Sequence, residues 1–177
     1  MRRRELLAGV GSVGVLGAAG AVALRGVPSV GDEPDSGGEA TREPIRLETI
    51  DAPGSEAGEV ALPADSQPTF IDFFATWCAP CEAQMPALAE AHERIGDEVL
   101  FVSVTTEGLP EAEIVEWWAE HDGNWLLARD PTTELAARYN PPGYPHAVAT
   151  DAAGTVQWSS SGRKTADEFV DGIERAI

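Results

Sequence analysis

Lysine is nearly missing from this chain. Lys164 is the only one in 177 residues, and Lys+Arg number 12 against 30 Asp+Glu. Residues 26–177 carry 8 basic and 29 acidic side chains, a net charge of −21. A surface of that sign repels nucleic acid and anionic lipid, so neither is a partner by charge. Self-repulsion of this size is relieved by screening ions, and the composition therefore predicts a halophilic protein with its acidic groups spread over a solvated surface. Cysteine is scarce as well: Cys78 and Cys81 are the only two. A scaffold stapled by several bridges is excluded, and a single pair two residues apart points to chemistry rather than stapling. Internal repeats, a glycine-rich phosphate loop, a Ser/His/Asp set and paired-carboxylate spacing are all lacking.

Apolar runs long enough to cross a bilayer are lacking too, except at the start. Arg2-Arg3-Arg4 leads into 19 uncharged residues, Leu6 to Leu24, an n-region followed by a Gly/Ala-rich h-region. Arg3-Arg4-Glu5-Leu6-Leu7 resembles a twin-arginine export signal, with possible cleavage at Ala19-Gly20-Ala21 or Ala21-Val22-Ala23. Nineteen uncharged residues also suffice for an uncleaved anchor, so residues 1–25 read as a signal or an N-terminal membrane anchor. No cysteine lies near the end of the h-region to take a lipid. Either way the folded part is expected outside the cytoplasm, secreted or held at the outer face of the membrane. Residues 26–44 are rich in Gly, Pro, Asp and Glu and read as an acidic flexible linker. The folded domain is expected over 45–177.

Within that domain, Ile45–Ile50 and Glu59–Leu62 read as short strands around the turn residues Asp51-Ala52-Pro53-Gly54. Pro68–Phe74 is a buried central strand. It runs into Ala75-Thr76-Trp77-Cys78-Ala79-Pro80-Cys81 and then a helix from Ala79 to about Ile95, with Cys81, Met85, Leu88, His92 and Ile95 on one face. Pro86 is expected to kink that helix. Glu98–Thr105 has the near-continuous apolar pattern of a strand covered on both faces. Pro110–His121 reads as a helix with Ile114, Trp117, Trp118 and His121 inward, and Asn124–Ala128 as a strand. Asp130-Pro131 is expected to cap a short helix through Tyr139. After the loop Asn140–Pro145, strands His146–Thr150 and Thr155–Ser159 form a hairpin around Asp151-Ala152-Ala153-Gly154. Thr165-x-x-Glu168 is a capping box opening a last helix with Phe169, Ile173 and Ile177 on one face. The order ββ–βα–βα–βα–ββ–α implies an α/β sandwich on a mixed sheet.

The chemistry is concentrated at one strand–helix junction. Cys78 precedes the helix and Cys81 lies one turn inside it. Unpaired N–H groups at a helix start favour a thiolate there. Cys78 is therefore the expected exposed nucleophile, attacking a client disulfide, and Cys81 the resolving thiol. Asp72, six residues upstream in an otherwise apolar strand, is costly to bury as an anion and should have a raised pKa. His92 and His121 fall on apolar helix faces and read as core or boundary residues.

Phe73-Phe74-Ala75-Thr76-Trp77-Cys78-Ala79-Pro80-Cys81, with Pro86, Gly123-Asn124-Trp125, Gly143-Tyr144-Pro145 and Asp151-x-x-Gly154, resembles the thioredoxin superfamily. Within it the pattern looks most like the TlpA/ResA branch of exported or membrane-anchored thiol–disulfide oxidoreductases, over about 45–177. The resemblance implies a thioredoxin-like three-layer α/β sandwich, a central mixed sheet flanked by helices, with an added N-terminal β-hairpin. It also implies an enzyme whose only redox group is the Cys78–Cys81 disulfide, with no cofactor. Its partners would be exported clients with cysteine pairs, such as apocytochromes or copper-site proteins, and a membrane redox partner; the protein itself would be a monomer. By the same resemblance Pro145 is a cis-proline beside the cysteines, freeing the backbone of Tyr144 to pair with a substrate strand. Trp77 and Pro80 shield and stiffen the site, and His146 stands where relatives usually have Thr. Asp72 matches the buried acid of thioredoxin proper. TlpA/ResA-like proteins more often have Asn there and a Glu where this chain has Gln84, which leaves Asp72 as the acid–base group.

The alternative is a metallochaperone-like protein in which Cys78, Cys81 and His146 hold Cu(I), since soft thiolates suit copper. Pro80 and the two-residue spacing favour disulfide closure instead, and zinc wants four ligands. The Pro-x-x-x-Thr-x-x-Cys pattern of a peroxide-reducing enzyme is lacking.

Overall fold

The computed structural model describes residues 43–177. The export segment and most of the linker expected from the sequence lie outside the described residues. Among those described, no helix is long and apolar enough to cross a membrane.

The strands are β1 (Ile45–Thr49), β2 (Gly58–Leu62), β3 (Thr69–Phe74), β4 (Leu100–Thr105), β5 (Leu126–Arg129), β6 (His146–Thr150) and β7 (Val156–Ser161). They form one mixed sheet in the order β2-β1-β5-β4-β3-β6-β7. β3 lies between a parallel neighbour, β4, and an antiparallel one, β6, and all six of its residues are buried. This explains its unbroken apolar-aromatic composition, because both of its faces are covered by side chains. Phe70 and Phe74 pack on one face against the helices α2 (Met85–Ile95), α3 (Glu111–Glu120) and α5 (Ala166–Ile173). Ile71 and Phe73 pack on the other with Leu135 of α4 (Glu134–Tyr139) and with Ile45 and Leu47 of β1. The result is the expected three-layer sandwich, with β1 and β2 added as an antiparallel hairpin at one edge.

Register brings the ends of several strands together. Phe74 pairs with Thr105, Thr105 with Arg129 and Arg129 with Glu48, so these residues form one row across the sheet. The loop after β3, the loop after β4 and the loop before β6, whose His146 pairs with Phe73, all emerge beyond that row at the same end. In open α/β sheets this end, past the carboxyl ends of the parallel strands, is where ligands are received.

The structure corrects several local expectations. The helix expected over Ala79–Ile95 is two helices, α1 (Ala79–Glu82) and α2. The break follows from Pro86: a proline cannot donate a backbone N–H, and its ring clashes with the carbonyl four residues earlier, that of Glu82, where α1 stops. α4 begins at Glu134 rather than at Pro131, after Thr133 in a left-handed conformation with φ 57°. Asp130 still caps it across the intervening turn, its carboxylate accepting from the Glu134 and Ala136 N–H groups at 2.9 and 2.8 Å. The last helix tightens into a 3-10 turn over Glu174–Ala176, which turns Ala176 inward and leaves Ile177 56% exposed. Trp117 and His121 are half-buried and stacked on each other, while Ile114 and Trp118 reach the core.

Candidate active site

β3 ends at Phe74, and Ala75-Thr76-Trp77 leads directly into α1. Cys78 is the N-cap of α1, in extended backbone (φ −91°, ψ 94°), with Pro80 in the first turn where its missing N–H costs nothing. Cys78 and Cys81 are joined by a disulfide, with their Cα atoms 5.2 Å apart. The Cys81 N–H donates to Cys78 Sγ at 3.2 Å, so the sulfur of Cys78 sits where the helix start offers a backbone donor. The expected contrast between an exposed and a buried cysteine is small in this oxidised state: Cys78 is 4% exposed and Cys81 less. What stands out from the surface is Trp77, 73% exposed, its ring set edge-on to Tyr144 with centroids 6.1 Å apart.

Asp72 lies in the middle of β3 on the same face as Phe70 and Phe74, the face on which Cys78, Cys81 and Met85 of α2 also pack. It is 1% exposed. Gln84, the residue at the break between α1 and α2, donates its amide N–H to Asp72 Oδ1 at 3.1 Å. Ser103, paired with Asp72 in register on β4, donates to Oδ2 at 3.0 Å, and Trp125 Nε1 donates in turn to Ser103 Oγ at 2.9 Å. Burial outweighs the Ser103 hydrogen bond and pushes the Asp72 carboxyl up to about 7. The second amide atom of Gln84, Oε1, is buried without a hydrogen-bond partner. An acceptor left unmatched beside a carboxylate becomes useful once that carboxylate carries a proton, since the amide can turn and accept it.

The Tyr144–Pro145 peptide is cis, as the resemblance implied. Pro145 is buried and its carbonyl accepts from the Gly162 N–H at 2.9 Å. His146 is placed elsewhere. By register and ring contact it shares the face of Phe73, opposite to that of Asp72, Cys78 and Cys81. Its Nδ1 lies 2.8 Å from Ser161 Oγ and its Nε2 3.2 Å from Ser159 Oγ, and burial lowers its pKa. With both nitrogens engaged on β7, the ring does not join the cysteines as a third metal ligand. Among the described residues no group of three or more His, Cys, Asp and Glu could hold a metal ion.

Sequence reading missed the partners of Asp72 on neighbouring elements. Ser103 carried a signal: it is a hydroxyl set between the apolar residues Val102 and Val104 in β4, as Asp72 is the one acid inside β3. Two lone polar residues in adjacent buried strands are explained if they meet. Thr106 and Glu107 border the site without any sequence motif to mark them, and they contact Tyr144 and Thr76.

The AhpC/TSA family matches residues 47–159. Among curated proteins, the chain is 41% identical over 46 residues to thioredoxin Y of Oryza sativa, covering 26% of this chain and 27% of that protein. It is 30% identical over 109 residues to thiol-disulfide oxidoreductase ResA of Geobacillus kaustophilus, 59% of this chain and 60% of that one. It is 26% identical over 174 residues to a DsbE homologue, a thiol:disulfide interchange protein of Paracoccus denitrificans, 90% of each chain. The first of these alignments thus spans under a third of the curated relative's length. Among solved structures, a DsbF homologue from Corynebacterium diphtheriae superposes with TM-score 0.65 at 21% identity, over 79% of this chain and 88% of that one, which establishes the shared fold. Together with the sheet order and the Cys78–Cys81 junction, the match over 47–159 places the chain in the AhpC/TSA family of thioredoxin-like proteins.

Proposed function

We propose that the protein is a thiol–disulfide oxidoreductase of TlpA/ResA type acting outside the cytoplasm on exported clients that carry cysteine pairs. The observation that carries this reading is the Cys78–Cys81 disulfide at a strand–helix junction, with a buried acid of pKa about 7 on the sheet face beneath it. In the reduced protein, Cys78 thiolate attacks one sulfur of the client disulfide. A mixed disulfide forms and the other client sulfur leaves as a thiolate. Cys81 then attacks Cys78 Sγ, releasing the second client thiol and closing the Cys78–Cys81 bond. The client gains two electrons and the protein loses two. The reverse sequence oxidises a client dithiol. Asp72 takes the Cys81 proton as that thiol becomes the attacking group, a role suited by a pKa near neutrality. Trp77 and Tyr144 form the apolar rim that receives the client, with Pro80 and Pro145 fixing the two loops that carry them. Apocytochromes and copper-site proteins are the client classes proposed, with a membrane redox partner to renew the dithiol; Arg3-Arg4 and the Leu6–Leu24 run support the export route.

The test is trapping. Cys81→Ser should accumulate a mixed disulfide with a disulfide-bonded protein such as insulin, Cys78→Ser should form none, and the wild type should turn over with dithiothreitol as reductant. A wild type that binds Cu(I) one to one when reduced, and reduces no protein disulfide, would reverse the assignment.

A further inference from the structure

Beyond the cysteines and Asp72, one short segment touches both loops of the site. It starts at Thr105, the last residue of β4, and continues through Thr106 and Glu107. The Glu107 carboxylate accepts from the Thr76 backbone N–H at 2.6 Å through Oε2 and from the Thr76 hydroxyl at 3.0 Å through Oε1. Thr105 Oγ1 donates to the same Oε2 at 3.2 Å and accepts from the Glu107 N–H at 3.3 Å, so the carboxylate is itself held in place. The neighbouring Thr106 hydroxyl lies 2.9 Å from the hydroxyl of Tyr144. Thr76 immediately precedes the exposed Trp77, and Tyr144 immediately precedes Pro145. Three residues therefore fasten the cysteine loop with one hand and the proline loop with the other.

A charge-assisted, two-point hydrogen bond to a backbone N–H and its own side chain is among the stronger local restraints available to a loop. Nothing in α1 supplies such a restraint to Thr76, because that residue lies two positions before the helix cap. Without it, Ala75-Thr76-Trp77 would be a loop whose last residue projects its largest side chain into solvent. Ordering such a side chain only on binding costs affinity.

We propose that Glu107 is a positioning residue, and Thr106 its companion, that preset the spacing of Trp77 and Tyr144 so that a folded or extended protein client docks on a ready-made rim. The proposal rests on the disulfide-exchange reading above and extends it to how clients are distinguished from small disulfides. A small disulfide needs only the sulfur of Cys78. A protein client also needs the rim.

The experiment compares second-order rates of the reduced protein with insulin and with oxidised glutathione, for wild type, Glu107→Ala, Glu107→Gln and Thr106→Val. Glu107→Ala should slow the insulin reaction about tenfold while the glutathione rate and the equilibrium constant for disulfide exchange with glutathione stay within about twofold. Glu107→Gln should recover most of the loss, because its amide oxygen can still accept from the Thr76 N–H. Thr106→Val should slow insulin selectively, without touching the carboxylate. Equal slowing with both disulfides, no slowing with either, or an unaffected Thr106→Val would overturn the proposal. Amide hydrogen exchange at Thr76 supplies a readout independent of turnover: protection should fall in Glu107→Ala and persist in Glu107→Gln. A wild type inert towards insulin would defeat the client reading. Unchanged Thr76 protection in Glu107→Ala would defeat the role of Glu107 on its own account.

Discussion

Asp72 is the residue at which stability and the proposed chemistry oppose one another. Its carboxyl titrates near 3.8 when exposed and at about 7 in the fold, because burial disfavours the anion. Between those values the folded protein holds a proton that the unfolded chain has released, so stability falls as pH rises through the window. Above pH 7 the full penalty is present, on the order of 4 kcal/mol for a shift of this size. Asp72→Asn removes the titration. The amide oxygen it introduces can accept from Ser103 as the carboxylate does, and the amide N–H can meet the unpartnered Oε1 of Gln84. The variant should be more stable than wild type at pH 8, with the gain shrinking as pH falls and gone below about pH 4. Thermal unfolding across that range measures it. In the same protein, disulfide exchange near neutral pH should slow on the order of 10²-fold, the low side of what positioned acid–base groups contribute. A variant that is more stable yet equally fast would show that Asp72 carries no proton for the cysteines.

At the scale of elements, what could be read from the sequence was whatever short-range chemistry determines. The Thr165–Glu168 capping box is present with both of its hydrogen bonds, and α5 starts where it says. The buried strand β3, the hairpin β6–β7 and the strand–helix junction at Cys78 all follow from patterns within a dozen residues. Boundaries set by a longer reach were not legible. The split of α1 from α2 depends on where the Pro86 ring meets the Glu82 carbonyl, and the delayed start of α4 on a turn that lets Asp130 reach two N–H groups beyond it. The site divides the same way. Cys78, Cys81, Asp72 and Pro145 declare themselves by motif or by being out of character with their neighbours. Ser103, Trp125 and Glu107 make contacts between segments far apart in the chain, and although Ser103 and Trp125 stand out locally, no local pattern encodes which residue each one meets. For α5 the energetic expectation is direct. Thr165 Oγ1 accepts from the Glu168 N–H at 3.3 Å, and Thr165→Ala should cost about 1 kcal/mol. A lower urea midpoint with an unchanged slope would register it. Because α5 carries Phe169 edge-on to Phe70, the loss should appear in global unfolding rather than as local fraying.

For the whole molecule, charge is the governing quantity. The Arg ion pairs found among the described residues are those of Arg94 with Glu90 and Asp167, so few of the acidic groups meet a cation. The unbalanced remainder repels itself until salt screens it, over about 10 Å at 0.1 M and about 3 Å at 1 M. The melting temperature should therefore rise between dilute buffer and molar KCl, and a flat or falling response would remove the halophilic expectation. The row Phe74–Thr105–Arg129–Glu48 has a further consequence. β1 runs antiparallel to β5, so from Glu48 the chain runs back through Ile45 towards the end of the sheet where Cys78 and Tyr144 lie. The polypeptide enters the domain at its working pole. A fusion partner, an affinity tag or a solid support joined ahead of Ile45 would share that pole with the clients proposed above, whereas one joined after the exposed Ile177 starts from a different element of the fold.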